Sequence, residues 1–355
     1  MVRTIPKELR LSLFILSILA ILHYGKDVLI PMAIAAVLAM LFVNLSNRLE
    51  KKGIPRWASA LISILLFLSF IVGLAFLLRW QIQSFAEQFS SLKQNLQQLL
   101  ASLQEWVEKQ MGINQAEQKA IAEKQMSQNS EGSMIQEATL GLLGMVVDAI
   151  LVLVYTYLLL FYRTRLKTFV LKIVPIEQRE RSLDIIDSGS QVAAGYMIGL
   201  IKMIVILWIM YGIGFSILGV ENALFFAILC GLLELIPFVG NLTGTAIAIL
   251  GVTAQGGDTN MILGVVGIYM FVQFTQTYFL EPLIVGDEVN LNPLATIFGL
   301  VAAEALWGIA GLLLAIPLMG ITKIICDRIP QLQPYGYLLG NEKKRKLSFW
   351  KRRNR

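Results

Sequence analysis

Charge is scarce in this 355-residue chain: Asp, Glu, Lys and Arg make up 15% of it, 56% of residues are apolar, and mean hydropathy is +0.67. A soluble domain carries about 25% charged residues, so a water-soluble globule is excluded. Histidine and cysteine are almost absent. The single His23 has no Cys or His cluster near it, and Cys230 and Cys326 both fall in apolar blocks, where they read as small packing residues. No metal, disulfide or cofactor is expected. Neither a Gly-x4-Gly-Lys-Ser/Thr loop nor a Gly-x-Ser-x-Gly elbow occurs, so no direct use of ATP and no enzyme chemistry is expected. Alternation of polar and apolar residues is lacking too, which excludes a membrane β-barrel.

What is present is a series of long apolar blocks: 11–24, 28–45, 57–78, 140–162, 197–219, 223–254, 261–281 and 294–325. Such blocks are long enough to cross or enter a bilayer as helices, giving an all-α polytopic membrane protein. The basic residues orient it. Eight Lys/Arg against one Glu in 341–355 exceed the net charge of +6 on the whole chain. That tail, the N-terminal Arg3, Lys7 and Arg10, the loop around Arg48 to Arg56, and the stretch from Arg163 to Arg181 are all expected on the cytoplasmic side. The tail would meet anionic lipid; nucleic acid is not an expected partner.

The chain divides into N-terminal spans (1–78), an exterior helical insert (79–139), a fourth span (140–162), a cytoplasmic amphipathic linker helix (163–196), a core of two span-plus-hairpin units (197–325) and a basic cytoplasmic tail (326–355). In the insert, Ile82, Phe85, Phe89, Leu92, Leu96, Leu99, Leu103 and Trp106 recur at alternating spacings of three and four. This is a heptad seam that needs a cover, either its own chain or a second subunit.

Blocks 223–254 and 294–325 are each too long for one span and are broken near the middle, the first by Pro237, Gly240 and Gly244, the second by Gly308 and Gly311. Each half has about 14 residues, roughly 21 Å of helix, short of the roughly 30 Å hydrocarbon core. The expected architecture is six full spans plus two interrupted or re-entrant hairpins, with eight full spans as the alternative. Two inverted span-plus-hairpin units are the plan of secondary transporters, where broken helix ends offer free backbone groups to a solute or ion.

Carboxylates in such blocks are costly and need a reason. Glu234 and Glu304 hold nearly matching places in the two hairpins, as the twelfth and eleventh residues of their blocks. Two roles are open for each: a coupling site for a proton or cation, or a structural one, capping a broken helix or pairing with Lys202 or another buried cation. Gln273, Gln276 and Thr277 share one face of the span 261–281, as solute contacts or interhelical packing groups. Asn241 and Thr243 follow the Pro237 break and are further pathway candidates.

The stretches GLLELIPFVGNLTG (231–244), QFTQTYFLEPLIVGDEVNLNPLATIFGL (273–300) and GIAGLLLAIPLMGITK (308–323) resemble the signature blocks of the AI-2E family of bacterial transporters, the autoinducer-2 exporter or PerM-like family. The motifs that carry the likeness are Ile236, Pro237 and Gly240; the turn Pro282 to Gly286; Asn292-Pro293-Leu294; and Gly308 to Pro317. The chain departs from the family at Tyr162-Arg163-Thr164-Arg165, which lacks an acidic residue, and at Ile198-Gly199-Leu200, where Arg-Gly-Gln is usual. The resemblance implies export of a small solute across the bacterial inner membrane, in some members the signal autoinducer-2, in others sodium or potassium exchanged for protons. It also implies a homo-oligomer. A cation/proton antiporter, and a channel or scaffold without coupled transport, are the alternatives.

Overall fold

The computed structural model describes residues 7–86, 131–235, 239–285 and 289–341. The heptad seam beyond Ala86 and the basic tail lie outside them. Among the described residues the chain is helical, with one isolated antiparallel bridge between Leu291 and Gly340.

Helices α1 (Lys7–Tyr24), α2 (Lys26–Lys51), α3 (Arg56–Ala86) and α4 (Glu131–Ile173) come first. A polar knot ties α2, α3 and α4 at one end. Glu50 accepts hydrogen bonds from Arg163 and, at 3.1 Å, from Ser59; the Ser46 and Ser59 hydroxyls lie 3.0 Å apart, and Arg56 approaches the other Glu50 oxygen at 3.6 Å. Small hydroxyl residues let helix backbones approach while their hydrogen bonds hold the crossing. Arg163, one of the residues where the chain departs from its resemblance, is therefore occupied in structure.

After a short turn at Ile176–Gln178, α5 (Arg179–Ile217) carries the charged stretch and the next apolar block as one helix of 39 residues. It is the axis of the second half: α2, α6 (Ala223–Leu233), α8 (Thr259–Thr275) and α9 (Pro293–Arg328) all pack on it. Leu207 and Phe215 of α5, Phe226 of α6, Val252 of α7 (Val239–Ala254) and Val265 and Val272 of α8 are almost completely enclosed. In lipid, where removal from water gives no preference between helix and tail, close packing of this kind holds the bundle together.

Both interrupted blocks fold back on themselves. Helix α6 has 11 residues, about 16 Å, and cannot cross a bilayer. Its partner α7 lies antiparallel in close contact. A Cβ on Gly240 would sit 1.6 Å from the Leu233 carbonyl oxygen, and one on Gly251 would sit 2.1 Å from the Phe226 ring. Gly244 faces Cys230 in the same way, so the pairing runs backward along the chain as an antiparallel hairpin requires.

By length and composition six helices among the described residues can cross a membrane, Pro293–Arg328 among them. That helix, however, is divided at Gly308, whose φ of 59° and ψ of −137° suit glycine alone. In a straight helix Gly299 and Met319 would stand about 30 Å apart at 1.5 Å per residue. Instead a Cβ on Gly299 would lie 1.9 Å from the Met319 sulfur, and one on Gly311 would lie 1.9 Å from the Ala303 carbonyl oxygen. Block 294–325 is a second helical hairpin, and the eight-span alternative does not hold. Among the described residues the fold is all α: five uninterrupted helices long and apolar enough to cross a membrane, the shorter apolar α1 and two hairpins.

Two tethers fix the second hairpin. Asn292 caps α9, accepting from Ala295 N–H at 2.7 Å, and donates to the Gly340 carbonyl at 3.2 Å beside α10 (Gln333–Leu339). At the other end Trp307 donates its indole N–H to the Leu22 carbonyl of α1 at 2.9 Å. The Asn292-Pro293 motif is thus a cap with a second contact, Pro293 occupying the first helical position, where its missing N–H costs nothing.

Candidate functional site

Helix α8 starts at a cap in which Asp258 accepts from Met261 N–H at 2.9 Å, and after Thr275 it passes into a π-helical segment, Gln276–Val285. The π pitch is rare and concentrates at functional sites. Here it faces the end of α6, across a cleft of about 610 Å³ walled by α5, α8, the π segment and the start of α9.

Glu234 caps the C-terminus of α6 and is 9% exposed. The carboxylate is held by Gln276, whose Nε2 donates to Glu234 Oε1 at 2.8 Å. Gln276 itself is 2% exposed and its Oε1 has no hydrogen-bond partner among the described residues. A carboxylate can only accept, so the amide nitrogen must face it and the oxygen must point elsewhere. Gln273 donates to Thr277 Oγ1 at 3.3 Å along the same wall.

Four expected site residues, Glu234, Gln273, Gln276 and Thr277, therefore line one cleft, with Pro282 beside them. The others stand apart. Glu304 is exposed on the first half of α9 and is not among the cleft residues; Thr243 is exposed on α7. Asn241 lies on α7. Pro237 and Gly286 fall outside the described residues. Gly240, Gly244, Gly308 and Gly311 serve the two hairpins, and Pro317 is buried in the second. Lys202 is exposed and forms no ion pair with Glu234.

One cleft residue escaped the sequence reading. Glu281 lies in the π segment on the same cleft. A signal existed: Gln273, Thr277 and Glu281 step by four, so the polar stripe continues one turn past the point where the apolar block ends at Pro282. Its alignment with Gln276 was not legible, because at about 100° per residue an α-helix sets residues five apart about 140° from each other, whereas a π turn hydrogen-bonds five residues apart and stacks them. Chemically the cleft offers hard oxygen donors and amides. No group of three or more His, Cys, Asp or Glu able to hold a metal occurs among the described residues.

A polytopic helical bundle with two broken-helix hairpins and a buried carboxylate on a solute-sized cleft has the build of a membrane transporter. Comparison with known proteins agrees. The chain matches the AI-2E family transporter profile over residues 11–331 and belongs to that family. It is 28% identical to YueF of Bacillus subtilis over 321 residues, covering 85% of this chain and 84% of that one. It is 26% identical to PerM of Escherichia coli (strain K12) over 338 residues, covering 92% and 95%. YueF is named provisionally as a transport protein and PerM as a permease.

Proposed function

We propose that this protein is a secondary transporter that exports a small solute across the bacterial inner membrane, with Glu234 carrying the coupling proton or monovalent cation. The observation that supports the reading best is the buried Glu234–Gln276 hydrogen bond on the wall of the cleft. An intramembrane carboxylate with no cationic partner among the described residues has little structural use, and it marks an ion or proton path by default. The cleft falls within the roughly 300–1,000 Å³ of small-molecule sites, which favours an organic solute over a bare ion as cargo.

The two hairpins supply the moving parts. Each joins short helices through a break, so a change of charge at Glu234 acts at the end of α6. Glu304 enters as a separate carboxylate on the second hairpin, to be tested in parallel. Orientation follows the basic residues: the knot around Glu50 and Arg163, the pair Lys167–Asp187 at 2.8 Å and the pair Arg328–Asp184 at 2.8 Å belong to the cytoplasmic side, with both termini. The exterior seam would be covered by a second copy, making a homo-oligomer embedded in lipid.

The test has two stages. Extracellular metabolites of cells with and without the protein are compared, autoinducer-2 being the first solute assayed. The solute found is then followed in proteoliposomes with and without a pH gradient. Uphill movement driven by the gradient supports a coupled transporter. Equal downhill flux in both conditions identifies a channel, and gradient-dependent movement of Na+ or K+ alone identifies a cation/proton antiporter.

A further inference from the structure

A second cavity, of about 430 Å³, lies between α2, α4 and α5 and shares no residue with the cleft around Glu234. Its chemistry changes along its length. On α2, Ala36, Met40, Val43 and Asn47 line it at spacings of four, three and four, a single stripe of the helix. From Ala36 to Asn47 that stripe runs roughly 16 Å at 1.5 Å per residue, about the depth of one leaflet of the hydrocarbon core. On α4 the order repeats: Leu159 and Leu160 come first, then Arg163, Thr164 and Lys167, with Asp187 of α5 beside them. The inner end is closed by Ala39 and Leu160, both buried, whereas Leu166 and Val170 are 45% and 39% exposed and open the cavity on the outer surface of α4.

The polar end carries two cations against one carboxylate. Arg163 is fixed in orientation: it donates to Glu50, to Asn47 at 2.9 Å and to the Leu160 carbonyl at 2.7 Å. These bonds use three of the five N–H groups of a guanidinium, so donors remain for a further acceptor. Lys167 donates to both oxygens of Asp187, at 2.8 and 2.9 Å. With side chains 36% and 56% exposed, that pair is weak and open to competition from another anion.

We infer that this cavity binds one anionic phospholipid, its acyl chain lying between α2 and α4 and its phosphate held by Arg163 and Lys167. The apolar stripe has no use for a water-soluble anion, and the two cations have none for a neutral lipid; an anionic lipid uses both. Basic pockets between membrane-spanning helices hold anionic headgroups in this way, and a planar guanidinium matches the oxygens of a phosphate. On the orientation proposed above the headgroup lies in the cytoplasmic leaflet, but the site depends neither on that orientation nor on the transport reading of the cleft. A lipid seated here touches α2, α4 and α5 at once, bracing the N-terminal spans against the axis of the second half.

The test uses the full chain, delipidated in mild detergent and titrated with phosphatidylglycerol, phosphatidylcholine or inorganic phosphate. Bound lipid is counted by native mass spectrometry and stabilisation is read from the melting temperature. Wild type is expected to retain one phosphatidylglycerol per chain and to melt higher with it, and to respond to neither of the other probes. Lys167→Gln should weaken retention at least about 5-fold, the worth of one Lys beside an anionic headgroup, and Asp187→Asn, which frees Lys167, should tighten it. Ala39→Leu fills the inner end and should abolish retention. Lys172→Gln removes the same charge from an exposed position on α4 outside the cavity and should match wild type. Lys167 is part of an exposed pair, so its variant is expected to fold, which the size-exclusion profile and the melting temperature without lipid check. Equal retention by wild type, Lys167→Gln and Ala39→Leu would overturn the site, as would a Lys172→Gln loss as large as that of Lys167→Gln. Equal retention of phosphatidylcholine, or equal stabilisation by inorganic phosphate, would overturn the anionic lipid as occupant. A fall in the native mass of Ala39→Leu by whole subunits would show that a second copy fills the cavity instead.

Discussion

Gln276 and Glu234, 42 residues apart in the chain, meet through a 2.8 Å hydrogen bond that joins the π segment after α8 to the end of the short helix α6. The contact links an uninterrupted span to a hairpin at the place where each departs from regular α-helix. Replacing Gln276 with Leu keeps the volume but leaves Glu234 enclosed without its donor. A cost of about 1–3 kcal/mol is expected, visible as a lower melting temperature in detergent.

The first hairpin depends on close backbone approach. Gly240→Ala would place a methyl group 1.6 Å from the Leu233 carbonyl oxygen, which only separation of α6 from α7 can relieve. Destabilisation of about 1–3 kcal/mol or more is expected, measured by thermal unfolding of the purified protein. Gly308→Ala meets no neighbouring atom and tests a different cause, the strain of a positive φ, at about 1–3 kcal/mol. Equal stability of Gly240→Ala and wild type would contradict the hairpin packing.

Membrane sidedness is the next expectation. Cys230 and Cys326 are buried, so background labelling should be low. Asn260→Cys, exposed in the first turn of α8, should react with an impermeant maleimide added outside the cell, and Asp287→Cys only after the membrane is opened. The reverse pattern would contradict the proposed orientation of the two units.

How much of this was legible in the residues varies with the physical signal. Apolar block length and the Gly and Pro breaks reported the helices and both hairpins, because hydrocarbon leaves the backbone few alternatives to a helix. Glu234, Gln276 and Thr277, which line the cleft, were legible as candidates because polar side chains in such blocks stand out against a uniform background. Glu304 stood out equally by sequence position yet is exposed, since matching numbers in two hairpins do not set which way a side chain faces. Glu281 was passed over at the edge of an apolar block, and its place on the same cleft as Gln276 depends on a π pitch that no periodicity count announces. Arg163 read only as a cytoplasmic charge; its role in the Glu50 knot needed the contact between α2 and α4, helices separated by more than a hundred residues.

Assembly is tested through the exterior insert. If a second copy covers the seam from Ile82 to Trp106, replacing Phe89, Leu96 and Leu103 together with Ser should lower the native mass in mild detergent while the spans stay inserted. An unchanged mass would assign the seam to packing within one chain.

The account stands most directly on Glu234. Glu→Gln there keeps shape and hydrogen bonding but removes the charge and its titration. With the solute identified by metabolite comparison, flux is measured in proteoliposomes at matched protein density across a series of pH gradients. Wild type should show flux rising with the gradient; Glu234→Gln should lose that dependence while solute exchange at equal pH survives. A Glu234→Gln protein whose flux follows the gradient as wild type does would contradict the central claim.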